Sequence, residues 1–449
     1  MNFLKPISIS LSPNTEKDDI WLALKMIWRI ILRGTKPSKT QNCTKKLEHK
    51  FRNYLNIKQA ISFNSGRSAF FAILNSLELN PNDKVLVQAF TCNAAINPII
   101  WAGLKPVYVD CDEKTFNIDI EDLERKIIHS TNSSQAPKVL MVQHTFGLPA
   151  DMDKILKICE QNNLILIEDC AHSLGAAYRE KKVGTFGRAA FFSFSRDKII
   201  SSVYGGIAIT NDIHLAGKIR AFQQKIGYPS CVWIIQQLLH PILMNWLILP
   251  IYGFSCPASR ALNALKARHF GIGKYLLILF QCLHILSKAV HWKEKRGRKP
   301  SYFPKQMPSA LACLAINQFK KLDKFNQHRK KITNFYFEKL KNTCFKLPEI
   351  PKNCAPVFLR FTIKHPKAHQ IIKKAWQENI LIGDWYTSPI APYDTKLDKL
   401  QYKLGLCPTA TKLAQETLNL PTHINISKKQ AQKIIDFLLS NPWNANIKG

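Results

Sequence analysis

The chain has 449 residues, 46% of them hydrophobic, and 64 Lys and Arg against 31 Asp and Glu give a net charge of +33. That length accommodates two lobes with substantial cores, and that apolar content excludes an intrinsically disordered chain. The charge favours anionic partners such as nucleotide diphosphates or phospholipid head groups; the plainer reading is a Lys-, Asn- and Ile-rich composition with solvated lysines.

A nucleic-acid partner is not expected, because no binding module with interleaved aromatics accompanies the charge. The 12 cysteines contain no C-x-x-C pair, so a metal site is not expected. Cys159 and Cys282 lie in apolar runs that suit reduced, buried thiols, which favours a cytoplasmic location. The N-terminus lacks a secretory signal pattern.

Residues 1–50 read as an N-terminal segment. Asn14 to Asp19 marks a helix start and Ile20 to Leu32 a helix, too short to span a bilayer and expected to dock on the main domain. Residues 51–212 alternate short apolar strands with helical patterns, which implies a mostly parallel sheet covered by helices. The strands are expected at Val85–Val87, Pro106–Val109, Val139–Val142, Leu164–Glu168, Ala190–Phe194 and Gly206–Thr210, with helices at Ser68–Leu77 and Met152–Gln161 among those between them.

Residues 213–300 form an apolar helical insert. It carries two apolar stretches, Val232–Phe254 and Tyr275–Val290, then a basic run from Lys293 to Lys299. The first is long enough to cross a bilayer, but Pro241, Pro250 and its side-chain amides would leave polar groups unsatisfied there. Two readings stay open: contact with a membrane surface through residues 232–290, aided by Trp233, Trp246, Tyr252 and Trp292, or burial against the rest of the protein or a partner subunit. Residues 301–449 read as a smaller C-terminal domain. It has one long helix from Ala310 to Leu340, a strand at Val357–Ile363, and helices at Lys367–Asn379 and Lys428–Leu439.

The chemistry concentrates between residues 164 and 206. An apolar strand ends in Glu168-Asp169, followed by Cys170-Ala171-His172. A second ends in Ser193, with Lys198 five residues later and Gly205-Gly206 beyond. Ligands in such sheets bind at the carboxyl ends of the strands, where Asp169, His172, Ser193 and Lys198 all fall. Pyridoxal phosphate chemistry needs this set: a lysine amine to capture the cofactor aldehyde, an aspartate to keep the pyridine nitrogen protonated, and a hydroxyl with backbone amides for the phosphate. Gly66, Arg67 and Ser68 open a helix whose amides suit that anion.

These motifs, with Asn64-Ser65-Gly66-Arg67-Ser68-Ala69, Asp83 to Val87 leading to Phe90-Thr91, Lys105 to Asp110 and Gln143 to Gly147, resemble the DegT/StrS family of PLP-dependent sugar aminotransferases. The resemblance runs from about Phe51 to Gly206 and resumes from about Met307. It implies an α/β protein of PLP-dependent transferase fold type I, with a large mostly parallel sheet domain at 51–212 and a small C-terminal α+β domain at 301–449. It implies a homodimer that moves an amino group from an amino acid, glutamate being the expected donor, to a nucleotide-linked keto-sugar for cell-surface polysaccharide or related sugar biosynthesis.

By the resemblance, Lys198, Asp169 and His172 are the catalytic residues, and Gly66, Arg67, Ser68, Cys92 and Ser193 help hold the cofactor. His172 is expected to contact the ring or its hydroxyl. The location implied is cytoplasmic, at or near the inner face of the membrane.

Three positions depart from the family pattern. Gly66-Arg67 stands where Gly-Thr is usual. Cys92 stands where an aromatic residue stacks on the ring, so that either Phe90 or Cys92 itself covers it. Pro304-Lys305-Gln306-Met307 stands where Asn-x-Arg-Met reaches a partner's site, with Lys305 a substitute that lacks the bidentate fork. The departures at Cys92 and at Pro304-Lys305-Gln306-Met307, with the insert, motivate a rival reading, a catalytically silent scaffold at the membrane surface in envelope polysaccharide assembly. Retention of Lys198 together with Asp169 argues against it.

Overall fold

The computed structural model describes residues 5–32, 42–131, 136–254, 271–441 and 443. Five-residue apolar runs such as Val139–Gln143 and Ile165–Asp169 are buried along nearly their whole length, as strands covered on both faces must be. They build a seven-stranded sheet in the order Gln59–Phe63, Gly206–Thr210, Ala189–Ser193, Ile165–Asp169, Val139–Gln143, Lys84–Gln88, Lys105–Val109. Gly206–Thr210 runs antiparallel to both neighbours, and the remaining pairings are parallel. The architecture is the expected α/β one, with a large mixed, mostly parallel sheet. The helix Gly66–Ser76 is buried nearly all round, packed against the sheet and the helices Asn93–Trp101 and Ile213–Lys225. Ile213–Lys225 thus belongs to the sheet domain's core, although the insert was expected to begin at residue 213.

The C-terminal part has its own core around Tyr336, Phe361, Ile371, Leu418 and Ile434. Its strand is Arg360–Lys364, paired antiparallel with Thr417–Pro421. The strand expected from Val357 starts later because the amides of Val357 and Leu359 bond the carbonyls of Gly147 and Phe146 in the large domain instead. The helix expected over Ala310–Leu340 is two helices, Ser309–Phe319 and Leu322–Leu340. Neither proline nor glycine marks the break. Lys321 sits at it and reaches Glu16, Asp18 and Asp19 in the N-terminal segment.

The helix Lys17–Leu32 packs along Cys231–Leu243 of the insert and against Ser309–Phe319, while Ile7–Ser8 pairs with Ile380–Leu381 of the small domain. The N-terminal segment therefore ties several parts of the chain together rather than docking on the sheet domain alone. Cys43 and Cys313 are joined by a disulfide across 270 residues. Their separation in sequence gives no local sign of this pairing. Cys159 is a free, buried thiol as expected, whereas Cys282 is free but exposed, because its helix Ile272–Cys282 packs on only one side.

Candidate active site

At the carboxyl ends of the central strands lies a cavity of about 270 Å³. Gly66, Arg67, Cys92, Asp169, His172, Ser193 and Lys198 all line it; Ser68 does not. The Ser68 hydroxyl instead donates to Asn64 Oδ1 (2.7 Å), and its amide donates to Ser65 Oγ (3.0 Å), so it shapes the loop from behind. Ser65 caps the helix, leaving the first amides, near Gly66 and Arg67, without intrahelical partners at the cavity wall. The wall is close: a Cβ on Gly66 would lie 2.9 Å from Ser193 Cβ, and one on Gly206 would lie 2.3 Å from the Gly66 amide nitrogen. Glycine at both positions lets the antiparallel strand abut the helix start, leaving a cradle for an anion.

Strand alternation separates the acidic pair. Glu168 points to the far side, where it accepts from the amides of Gly184 (2.7 Å), Phe186 (2.7 Å) and Gly187 (2.8 Å) and pairs with His144 Nε2 (3.1 Å). His144 Nδ1 in turn accepts from the Ala150 amide. With those groups engaged, the His144, Glu168 and Cys170 cluster reads as structural. Asp169 faces the cavity, its Oδ1 held by the Ala171 amide at 2.9 Å. Burial pushes its carboxyl above the ordinary value, and the Lys198 ammonium opposes that shift.

Lys198 lies in the loop after Ala189–Ser193, its Nζ 5.2 Å from the centre of the Trp385 ring. Withdrawal from water pulls its amine down to about 8, against the attraction of Asp169. Asn14 fixes this loop from outside: its side-chain amide donates to the carbonyls of Lys198 and Ile199, and its Oδ1 accepts from Arg329. Arg329 also donates to Leu359 O and Thr422 Oγ1.

Burial, aided by the Lys198 charge, holds His172 well below its ordinary value, so the imidazole is neutral. Its Nδ1 accepts from the Phe146 amide at 3.3 Å, which leaves the proton on Nε2 as a donor. The ring stacks between Phe146 and Trp385, with centroids 6.1 and 5.6 Å away.

Phe90 does not line the cavity. It is fully buried against Phe116, Phe146 and Tyr386, so Cys92 is the residue at the wall, its thiol pushed up by burial. Lys305 is also absent from the wall. Its ammonium donates to Ile226 O (3.1 Å), and its backbone pairs with Asn64. Arg67 lines the cavity but is neutralised by Glu294, and its guanidinium lies 4.5 Å from the centre of the Phe303 ring.

Several groups at the site carry no local signal in the sequence. The insert supplies Ala289 and Val290 to the wall, and Tyr204 anchors it there by donating to Lys288 O (2.9 Å). Arg196 lines the cavity and donates to Ser287 Oγ, with its Nε unpartnered. Asp197 is 3.6 Å from Arg360, whose guanidinium lies over Trp385 at 3.3 Å. Trp385 and Tyr386 come from the small domain and close the cavity from that side. Only the dipeptide Arg196-Asp197 beside Lys198 could have been suspected from sequence.

The donor set fits pyridoxal phosphate: an amine, a buried carboxylate, a neutral imidazole N–H, and a glycine cradle at a helix start beside a serine hydroxyl. Comparisons with known proteins agree. The profile of the DegT/DnrJ/EryC1/StrS aminotransferase family matches residues 29–229 and 280–439. The GDP-perosamine synthase of Caulobacter vibrioides is 40% identical over 173 residues, 38% of this chain and 45% of that one. The UDP-N-acetyl-3-dehydro-alpha-D-glucosamine 3-aminotransferase of Acidithiobacillus ferrooxidans is 26% identical over 372 residues, 82% of this chain and 80% of that one.

Among curated relatives matched at 35–40% identity, the chain spans a little under half of each relative's length. The crystal structure of a DegT DnrJ EryC1 StrS aminotransferase from Brucella abortus superposes with a TM-score of 0.69 at 21% identity, covering 93% of this chain and 95% of that one. The cofactor that this site takes is pyridoxal phosphate, and the chain belongs to the DegT/DnrJ/EryC1/StrS aminotransferase family.

Proposed function

We propose that the protein transfers an amino group from an amino acid, with glutamate as donor, to a keto-sugar carried on a nucleotide diphosphate. The observation that carries this reading is the convergence of Lys198, Asp169, Ser193 and the Gly66 helix start on one cavity. Relatives named for GDP- and UDP-linked amino sugars support the substrate class.

Pyridoxal phosphate, when bound, supplies the aldehyde that captures the amine and the ring that absorbs electrons as a carbon–hydrogen bond breaks. Asp169 holds the proton on the ring nitrogen. The Lys198 amine takes the proton from the donor's α-carbon and, in the second half of the cycle, delivers one to the sugar carbon that becomes aminated. His172 Nε2–H orients the ring hydroxyl. Ser193 and the amides near Gly66 bind the phosphate, and Trp385 and Tyr386 exclude water above the lysine. By the family resemblance, the working unit is a cytoplasmic homodimer serving polysaccharide or related sugar biosynthesis.

The test is incubation of the loaded protein with glutamate and a panel of keto-sugar nucleotides, following 2-oxoglutarate and the aminated sugar by mass spectrometry. Formation of both products, lost in Lys198→Ala, is expected. No product from any keto-sugar, with cofactor demonstrably bound, overturns the reading.

A further inference from the structure

The helix Lys17–Leu32 is apolar on two sides. Ile20, Ala23, Met26 and Ile30 are buried in the core. The other side presents Trp21, Lys25, Trp28 and Leu32 at one-turn spacing, all exposed, with Trp21 at 62% and Leu32 at 66%. A helix packed on a water-facing surface keeps that side polar.

The Trp21 ring meets Trp246, itself 51% exposed, edge-on at 5.7 Å, which joins this face to the helical stretch Cys231–Ile251 of the insert. The helix Ile272–Cys282 packs on the far end of that stretch and exposes Ile278 and Leu279, with Leu283 just beyond at 59%. Monomeric proteins in water rarely expose so many large apolar side chains on neighbouring elements.

We propose that this face, formed jointly by the Lys17–Leu32 helix and the two apolar helices of the insert, docks on an anionic phospholipid bilayer surface without crossing it. The inference is independent of the catalytic reading. Three observations select a lipid surface.

First, Cys231–Ile251 is long and apolar enough to span, yet half of its most apolar window is buried inside the protein. Gln237 and His240 are buried, and His240 Nδ1 bonds Ser12 Oγ at 3.0 Å. The helix is therefore rooted and can offer only its outer side.

Second, the exposed face is rich in tryptophan, the residue that sits at head-group level. Third, cations are set among those rings. Lys25 lies between Trp21 and Trp28 on the Lys17–Leu32 helix; elsewhere in the insert the exposed Trp292 has Lys293 and Arg296 at 5.8 and 5.5 Å from its ring. The two carboxylates in the first turn of the N-terminal helix, Asp18 and Asp19, are engaged by Lys321. A second copy would bring the same cations against themselves, whereas anionic head groups neutralise them and complement the net charge of +33.

Flotation of the cofactor-loaded, full-length protein with phosphatidylglycerol vesicles, against phosphatidylcholine vesicles, tests this. Binding to the anionic vesicles at low salt is expected, falling at least about tenfold at high salt or with neutral vesicles. Trp246→Ser with Leu279→Ser should lower it by at least about tenfold, and Lys25→Glu should weaken it and flatten its salt dependence. Thermal melts and cofactor absorbance verify that the variants are folded. The proposal is overturned if the wild type does not float at low salt, or if the folded variants float as it does. It is also overturned if the Trp246/Leu279 variant dissociates an oligomer in sedimentation while vesicle binding stays intact, which would make the face a contact between copies.

Discussion

Glu294 and Arg67 form an ion pair buried inside the protein and spanning 227 residues of chain. Arg67 stands at the first turn of the helix that opens the cavity wall, and Glu294 lies in the basic run at the end of the insert. The pair latches one to the other, seconded by Asn97, which donates to Glu294 O at 3.1 Å, and Trp101, which donates to Gly297 O at 3.0 Å. An arginine where a small polar residue is usual therefore serves the cavity wall rather than adding a free charge to the anion site.

Breaking that pair from one side leaves a buried charge without a counter-charge. Glu294→Gln should cost about 3–5 kcal/mol of stability, and Arg67→Met with Glu294→Met should recover most of it. Chemical denaturation of the three proteins decides this. Equal loss in the single and double variants would mean that the pair's shape, not its charge, holds the wall.

Lys198→Ala should fold and bind cofactor only reversibly, with no label at this position after borohydride reduction. The neutral amine is the form that captures an aldehyde. Because the surroundings hold this amine at about 8 rather than the ordinary 10.5, capture of added cofactor by stripped protein should rise as pH climbs through about 8 and level off above it. A midpoint near 10.5 in stopped-flow absorbance would contradict the assignment.

The adjacent carboxylates should fail in opposite ways. Asp169→Asn removes the carboxylate proposed to partner the ring nitrogen and should slow the glutamate half-reaction by about a hundredfold or more with little change in melting temperature. Glu168→Gln replaces one buried carboxylate oxygen with an NH2 donor that faces either the Gly184 amide or the amides of Phe186 and Gly187, and should cost about 2–3 kcal/mol of stability, with the half-reaction rate of the surviving fold nearly unchanged. Single-turnover kinetics and melting curves on both variants separate the roles.

Cys92→Phe should slow cofactor loss during dialysis, because an aromatic face at this wall adds about 0.5–1.5 kcal/mol beyond the area it buries. Much faster loss in Cys92→Phe would show that Cys92 does not occupy the ring-covering position.

What sequence made legible was local. Asp169, Ser193 and Lys198 could be found because strand ends and short loops fix them within a few residues of a recognisable apolar run. Arg67's partner could not, since Glu294 sits inside a basic run that looks solvated. Trp385, Tyr386 and Arg360 reach the site through the docking of a second domain, which no spacing encodes. Phe90 was a candidate ring cover because it is aromatic and adjacent to Thr91, but it is packed into the core. The break at Lys321 escaped the periodicity of Ala310–Leu340 because a network of carboxylates from the N-terminal segment accompanies it, with no change in the apolar pattern. The disulfide between Cys43 and Cys313 escaped for the same reason of distance.

The Asn14 bridge couples the loop of Lys198 to the far domain. Asn14 clasps the carbonyls of Lys198 and Ile199, and its amide oxygen accepts from Arg329, which also donates to Thr422. A change at Arg329 or Thr422 therefore reaches the loop of Lys198 from behind, without touching a residue of the cavity wall.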